Sequence, residues 1–313
     1  MTAELPELPF ADWEPTKDTL HLWAQIVGKV KLASSRPRNH WWHVPLYVDV
    51  HGLTTRVLGA PDGASFEIRF DFAGHRLVVE TAGESESFAL ENGLSVAEFN
   101  RLLHATLASL GLDVPIVETP FGVPMTTPFP EDHEHASYDA DAVERFWRVL
   151  AWTADVFEEF SGWYCGKSSP VHLFWHSFDL AVTRFGGGRA PELPDADPVT
   201  REAYSHEVVS FGFWAGDRNV REPSYYSYAA PEPPGLRETR LRPEQAFWQE
   251  QGEGSLALLR YADVRGAASP RHALLAFLES AYEAGAEALG WDRAALASSW
   301  CPGPPELARI LGA

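Results

Sequence analysis

The segment "FEIRFDF" (66–72) alternates without a break: Phe66, Ile68, Phe70 and Phe72 against Glu67, Arg69 and Asp71. A period of two sends successive side chains to opposite faces of a strand, so this stretch has one apolar face and one charged face. One wet face is the mark of an antiparallel sheet packed on a single layer, because parallel sheets are covered on both sides. "AGH" (73–75) then reads as a hairpin turn into "RLVVET", and "ESFAL" supplies a further strand. Ser95 and Glu98 form a capping box ahead of the stripe Val96, Phe99, Leu103, Leu107 and Leu110, which Gly111 terminates.

A helix before these strands is expected from Thr16, with Leu20, Trp23, Val27 and Val30 at helical spacing, fading near Ser34. "VPLYVDV" is expected to place Leu46, Val48 and Val50 on one face of a strand. Residues 112–137 carry Pro and Thr and no periodicity, and read as a linker. The second half repeats the order. Asp141 and Glu144 cap a helix with Val143, Phe146, Leu150, Ala154 and Phe157 inward. Strand-like runs follow at 170–185, "SHEVVSFGFW", "SYYSYA", "AFWQE" and "LALLRY", and Ser269-Pro270 opens a last helix that Gly290 ends. The expected fold is α+β: two tandem helix–antiparallel sheet–helix units over 12–111 and 138–292, with a tail over 293–313. "GK" followed by "WWH" or "FWH" occurs in both halves, which predicts an internal duplication about a pseudo-twofold axis.

The formal charge is −19, with 12 Trp and 2 Cys among 313 residues. So acidic a surface repels phosphate backbones, and no nucleic-acid partner is expected. Two cysteines make no disulfide framework and suit a reducing, cytoplasmic setting. The N-terminus lacks a basic and an apolar signal region, and no apolar run is long enough to span a membrane. The oligomeric state is not legible.

The richest stretch is "PVHLFWHSFDLAVTRF" (170–185). Val171, Leu173 and Trp175 share one parity, while Phe178, Leu180 and Val182 share the other. The apolar face therefore switches at His176–Ser177, by a bulge or by a tight turn that makes two strands. A bulge would gather His172, His176 and Asp179 on one face and turn Arg184 to the core side. His172, Asp179, His206 and Glu207 are the candidate acid–base residues. His40, Trp42, His43, Trp175, His176, Arg184 and Tyr204 are the candidate substrate contacts, in a cleft where the halves meet. The competing reading leaves these groups on solvated strand faces or in the core. A metal is not expected. His172 and His176 lie about 13 Å apart on a strand at roughly 3.3 Å per residue, and His133 and His135 sit in a solvated acidic segment. "GWYCGKSS" is one residue too short for a phosphate loop and follows a helix. Gly166 is read there as a helix stop and Lys167 as a solvated lysine. Cys165 is read as a buried small residue, Tyr225, Tyr226 and Tyr228 as packing residues, and no cofactor is implied.

The runs "NHWWHVPLYV", "HASYD", "GKSSPVHLFWHSFDLAVTRF" and "YSHEV" resemble an uncharacterised bacterial family catalogued as a domain of unknown function. The likeness extends from about Leu20 to Trp291. It implies a soluble bacterial protein made of this one unit, and carries no reaction, cofactor or catalytic residue. Position 176 of that pattern need not be His. Three functions compete: a small-molecule enzyme using histidine acid–base chemistry in an aromatic cleft, a non-catalytic small-molecule binder, and a structural or interaction protein.

Overall fold

The structure is a computed structural model that describes residues 4–60, 63–252 and 254–298. Most of the tail (299–313, with Cys301) lies outside the described residues. The chain opens with α1 (Phe10–Ser34), followed by β1 (Tyr47–Val48), β2 (Gly52–Thr54), β3 (Leu58–Gly59), β4 (Ser65–Asp71), β5 (Arg76–Thr81), β6 (Ser85–Ala89) and α2 (Val96–Ser109). Then come α3 (Ala140–Gly162), β7 (His172–Phe174), β8 (Asp179–Arg189), α4 (Pro198–Ala203), β9 (His206–Trp214) and β10 (Ser224–Ala230). The last elements are β11 (Phe247–Gln251), β12 (Gly254–Arg260), α5 (Tyr261–Gly266), α6 (Pro270–Ala288) and α7 (Arg293–Leu296). This is an α+β fold with two antiparallel sheets.

The first sheet runs β1-β2-β4-β5-β6, with β3 also on β4, and the second runs β11-β12-β10-β9-β8-β7. The first is a meander; in the second, β12 inserts between β10 and β11. Two superposable copies require one strand order, so the expected duplication is not what the strands display. The sheets meet edge to edge, where Leu46 and Leu173 exchange both backbone hydrogen bonds at 2.8 Å.

One buried apolar cluster takes in residues of both halves, and α1 runs through it. From Thr19 to Lys31 every residue of α1 is buried, which makes it a helix packed on all sides rather than an amphipathic surface helix. Trp23 stacks on Phe99 of α2 at 4.9 Å, and Trp13 meets Phe146 of α3 at 5.0 Å. The helix starts at Phe10, earlier than expected, with Pro15 inside it. At Gly28 an added Cβ would lie 2.2 Å from the Trp175 ring, so only glycine lets the β7–β8 hairpin seat on the helix. Gly28→Ala should therefore destabilise by about 1–3 kcal/mol through overpacking, against about 1 kcal/mol gained in helix propensity. A lower urea midpoint would register the net loss; an unchanged or higher midpoint would mean that the hairpin adapts.

Other expectations shift for local reasons. Val50 is 79% exposed because Asp49 Oδ1 accepts from the amides of His51 and Gly52 and turns the chain there. Asp139, not Asp141, caps α3 through the Ala142 amide at 3.0 Å. That helix ends at Gly162. Gly166 instead lets the chain pack against Tyr164 and Leu296, 2.7 and 2.8 Å from where its Cβ would be. Residues 112–137 carry one short 3-10 turn, yet Phe129 is fully buried and Gln25 of α1 pairs with the backbone of Phe121 through both amide groups. Cys165 is exposed rather than buried.

Candidate functional site

The 170–185 run resolves its parity switch as a four-residue turn, Trp175–Phe178, between β7 and β8. Phe178 takes φ +57° and its amide reaches the Phe174 carbonyl at 2.7 Å. The turn plugs into α1 and the first half. Trp175 Nε1 donates to the Val44 carbonyl at 3.0 Å, and Phe178 stacks on His21 at 5.0 Å. His21 Nε2 bonds the His176 carbonyl at 3.1 Å.

Helices α3 and α6 cover one face of the second sheet, where Phe211 meets Phe160 at 4.9 Å. The other face is the floor of a cleft of about 1290 Å³. The floor carries Asp179, Thr183, Ser210, Trp214, Tyr226 and Tyr228; α1, residues 40–42 and 44, residues 121–125 and α4 line much of the rest. Small side chains on β9 make room for large ones on β10: a Cβ on Gly212 would lie 2.3 Å from the Tyr226 ring. Tyr226 and Tyr228 stack at 6.1 Å, and Trp214 lies 5.2 Å from Tyr226.

Asp179 is the polar centre. Its two carboxylate oxygens accept short hydrogen bonds from the Ser177 and Tyr226 hydroxyls. The Tyr204 and Tyr228 hydroxyls lie 3.0 Å apart, and those of Thr183 and Ser210 2.9 Å apart. Burial and the Asp179 charge push the Tyr226 phenol well above its ordinary pKa, so it remains a proton donor. Burial lowers the His176 imidazole, and Asp179 partly opposes this. A neutral imidazole, a carboxylate and a phenol are thus held on one apolar surface, a set suited to moving a proton on an organic molecule.

Of the residues singled out from sequence, Asp179, Trp175, His176, His40, Trp42 and Tyr204 line this cleft. The others are elsewhere. Arg184, in phase with Leu180 and Val182, points to the helix side, where it is 1% exposed and stacks over Phe160 at 3.5 Å. Glu207 is also on that side, accepting from Trp291 Nε1 at 2.9 Å. His206 sits behind His40, with ring centroids 5.5 Å apart and the Ser205 hydroxyl at 3.1 Å from Nδ1. His43 stacks on Trp41 at 5.2 Å and accepts from the Arg38 amide. His172 is 1% exposed near Tyr47. Lys167 is exposed, as a solvated lysine would be, and its Nζ also lies 2.5 Å from His40 Nε2 and 4.7 Å from the Phe185 ring centroid. His135 pairs with Asp132 at 2.8 Å. Among the described residues no group of three His, Cys, Asp or Glu side chains could hold a metal ion.

Sequence reasoning missed Trp214, Ser210, Tyr226 and Tyr228. The signal was in "SHEVVSFGFW", whose even positions turn small at Ser210 and Gly212 beside an aromatic-rich neighbour strand.

Fold and site together define an α+β protein with an open aromatic cleft on one sheet. The chain belongs to the family described as "Family of unknown function (DUF5996)", whose profile matches residues 5–298. No curated protein and no solved structure matches it. No helix among the described residues is long and apolar enough to cross a membrane.

Proposed function

We propose that the protein is an enzyme that binds a small organic molecule in this cleft and moves a proton on it. His176 serves as the base, Asp179 stabilises the imidazolium that forms, and Tyr226 hydrogen-bonds the substrate or returns the proton. The observation that carries the reading is Asp179, 8% exposed on the floor of an aromatic cleft, holding two hydroxyl donors beside a half-buried histidine. A carboxylate that stabilises an imidazolium without itself taking the proton is a familiar acid–base arrangement. Trp42, Trp214 and Tyr228 would hold the organic body, with Tyr204 and His40 at the α4 end. A charge of −19 supports a soluble protein without a nucleic-acid partner, and two cysteines suit a reducing, cytoplasmic setting.

A non-catalytic binder in the same cleft is favoured by one observation: both Asp179 oxygens are already engaged by hydroxyls. The two readings separate by incubating the protein with a small-molecule extract and following each compound by mass spectrometry. An enzyme depletes one compound while a product grows, and Asp179→Asn should slow this by about 10²–10⁴-fold, the usual contribution of acid–base groups. Tyr226→Phe should also slow it. Retention of a compound without any product would support the binder. Unchanged turnover in Asp179→Asn would refute the assignment.

A further inference from the structure

Between Asp18 and Asp49 this acidic chain has no Asp or Glu, while Lys29, Lys31, Arg36, Arg38, His40 and His43 fall in that interval. The fold gathers part of this stretch at the seam between the sheets. Lys31 Nζ lies 4.7 Å from the Tyr47 ring centroid and the Arg56 guanidinium 3.5 Å from it. His172 meets the same tyrosine edge-on at 6.3 Å. His43 is tied to Arg38 through its Nδ1 at 3.2 Å, which leaves Nε2 as its N–H donor. Arg38 and Arg56 are exposed, while Lys31, His43 and His172 are buried.

Two features point to a ligand. His172 is 1% exposed, yet neither ring nitrogen has a hydrogen-bond partner among the described residues, an expensive state for a buried polar group. Arg56 is held at φ +57°, a strained conformation for a residue other than glycine, by hydrogen bonds that link Thr54 and Thr55 to its backbone. The cations are also short of compensation. Lys31 Nζ donates to the Thr55 carbonyl at 2.6 Å, which is a neutral acceptor; Glu67 also acts on it, but that carboxylate already takes Thr54 Oγ1 at 2.7 Å and Arg69 at 3.1 Å.

We propose that Lys31, Arg38, His43, Arg56 and His172 form an oxyanion-binding site, which takes the phosphate or carboxylate group of a small molecule. The anion would supply the missing acceptor to His172 and the counter-charge to Lys31, whose pKa burial and the two arginines bring down to about 7. The site is separate from the Asp179 cleft, and the proposal does not depend on the acid–base reading.

The probe is sulfate at low millimolar concentration, titrated calorimetrically into the full chain at constant ionic strength in sodium chloride. Saturable binding is expected, with a rise in thermal midpoint. The charge of sulfate is constant from pH 6 to 8.5, so affinity should fall across that range as Lys31 loses its proton. Arg56→Gln, at the surface, and Lys31→Met should each weaken binding about tenfold or more, the loss of one charge-assisted hydrogen bond. Asp179→Asn should leave it unchanged. Phosphate and acetate, titrated in parallel, distinguish the two group classes. No heat with any of the three anions would overturn the proposal. So would an unsaturable stabilisation shared by Arg56→Gln, the behaviour of an adventitious ion only. Should Lys31→Met fail to fold, Arg56→Gln still decides.

Discussion

Lowering the pH from 7 to 5 in chloride should cost the protein about 4 kcal/mol of stability, about 2 kcal/mol from each of two histidines. His21 is 4% exposed and His172 1% exposed. Burial leads the causes that bring each imidazole down to about 3; Lys17 adds to it at His21, and Lys31 and Arg56 at His172. A base whose pKa is lower in the folded state is neutral in both states well above pH 6.5, so it costs nothing there. Below that value the unfolded chain takes up a proton that the native state refuses, and stability falls steadily until the pH reaches the folded value near 3. A loss of about 4 kcal/mol is large against the 5–15 kcal/mol of a typical domain. Urea denaturation at pH 7, 6 and 5 measures it. His21→Gln and His172→Gln should each remove about 2 kcal/mol of the loss; parallel pH profiles for wild type and both variants would contradict the assignment.

Arg184→Ala should lose about 2–5 kcal/mol, the cost of emptying a large, fully packed buried side chain's site. Its guanidinium is layered against Phe160 at 3.5 Å, Tyr282 at 4.4 Å and Tyr164 at 4.9 Å. It donates to the Phe160 carbonyl at the end of α3, and Glu279 of α6 lies at 4.0 Å. Burial pulls this arginine down to about 10. The residue thus ties β8 to α3 and α6 from the face opposite the cleft. Arg184→Met keeps the apolar stacking and should recover much of the loss, since apolar replacements of buried ions are often tolerated. Neither change should alter what the cleft retains; a variant of normal stability that fails to bind would return Arg184 to the site.

What could be read from sequence follows the range of the interactions involved. The alternation of 66–72 sets β4 by itself, and Phe66, Ile68, Phe70 and Phe72 are all buried. Ser95 caps α2 as expected, with the Glu98 amide 3.2 Å from Ser95 Oγ, but the Glu98 carboxylate pairs with Arg101 instead of closing the box. The switch at 175–178 announced an irregularity but not its form, because a bulge and a turn satisfy the same parity. The place of β12 between β10 and β11 depends on pairing across distant segments. The burial of α1 was concealed by His21, Gln25, Lys29 and Lys31, which look like a wet face and are each claimed by a tertiary partner. At the site, parity correctly separated Arg184 from Asp179. Which face of the sheet was left open depended on where α3 and α6 packed, and that put Glu207 on the closed side.

The central claim is that the open face of the second sheet holds the small molecule. Its most direct test is a crystal structure of the protein carrying the compound it retains from a small-molecule extract. The compound should lie against Trp214, Tyr226 and Tyr228, with a polar atom within hydrogen-bond reach of the Asp179–Tyr226 pair. A compound bound outside the cleft, with that pair and its hydroxyl partners untouched, would contradict the account.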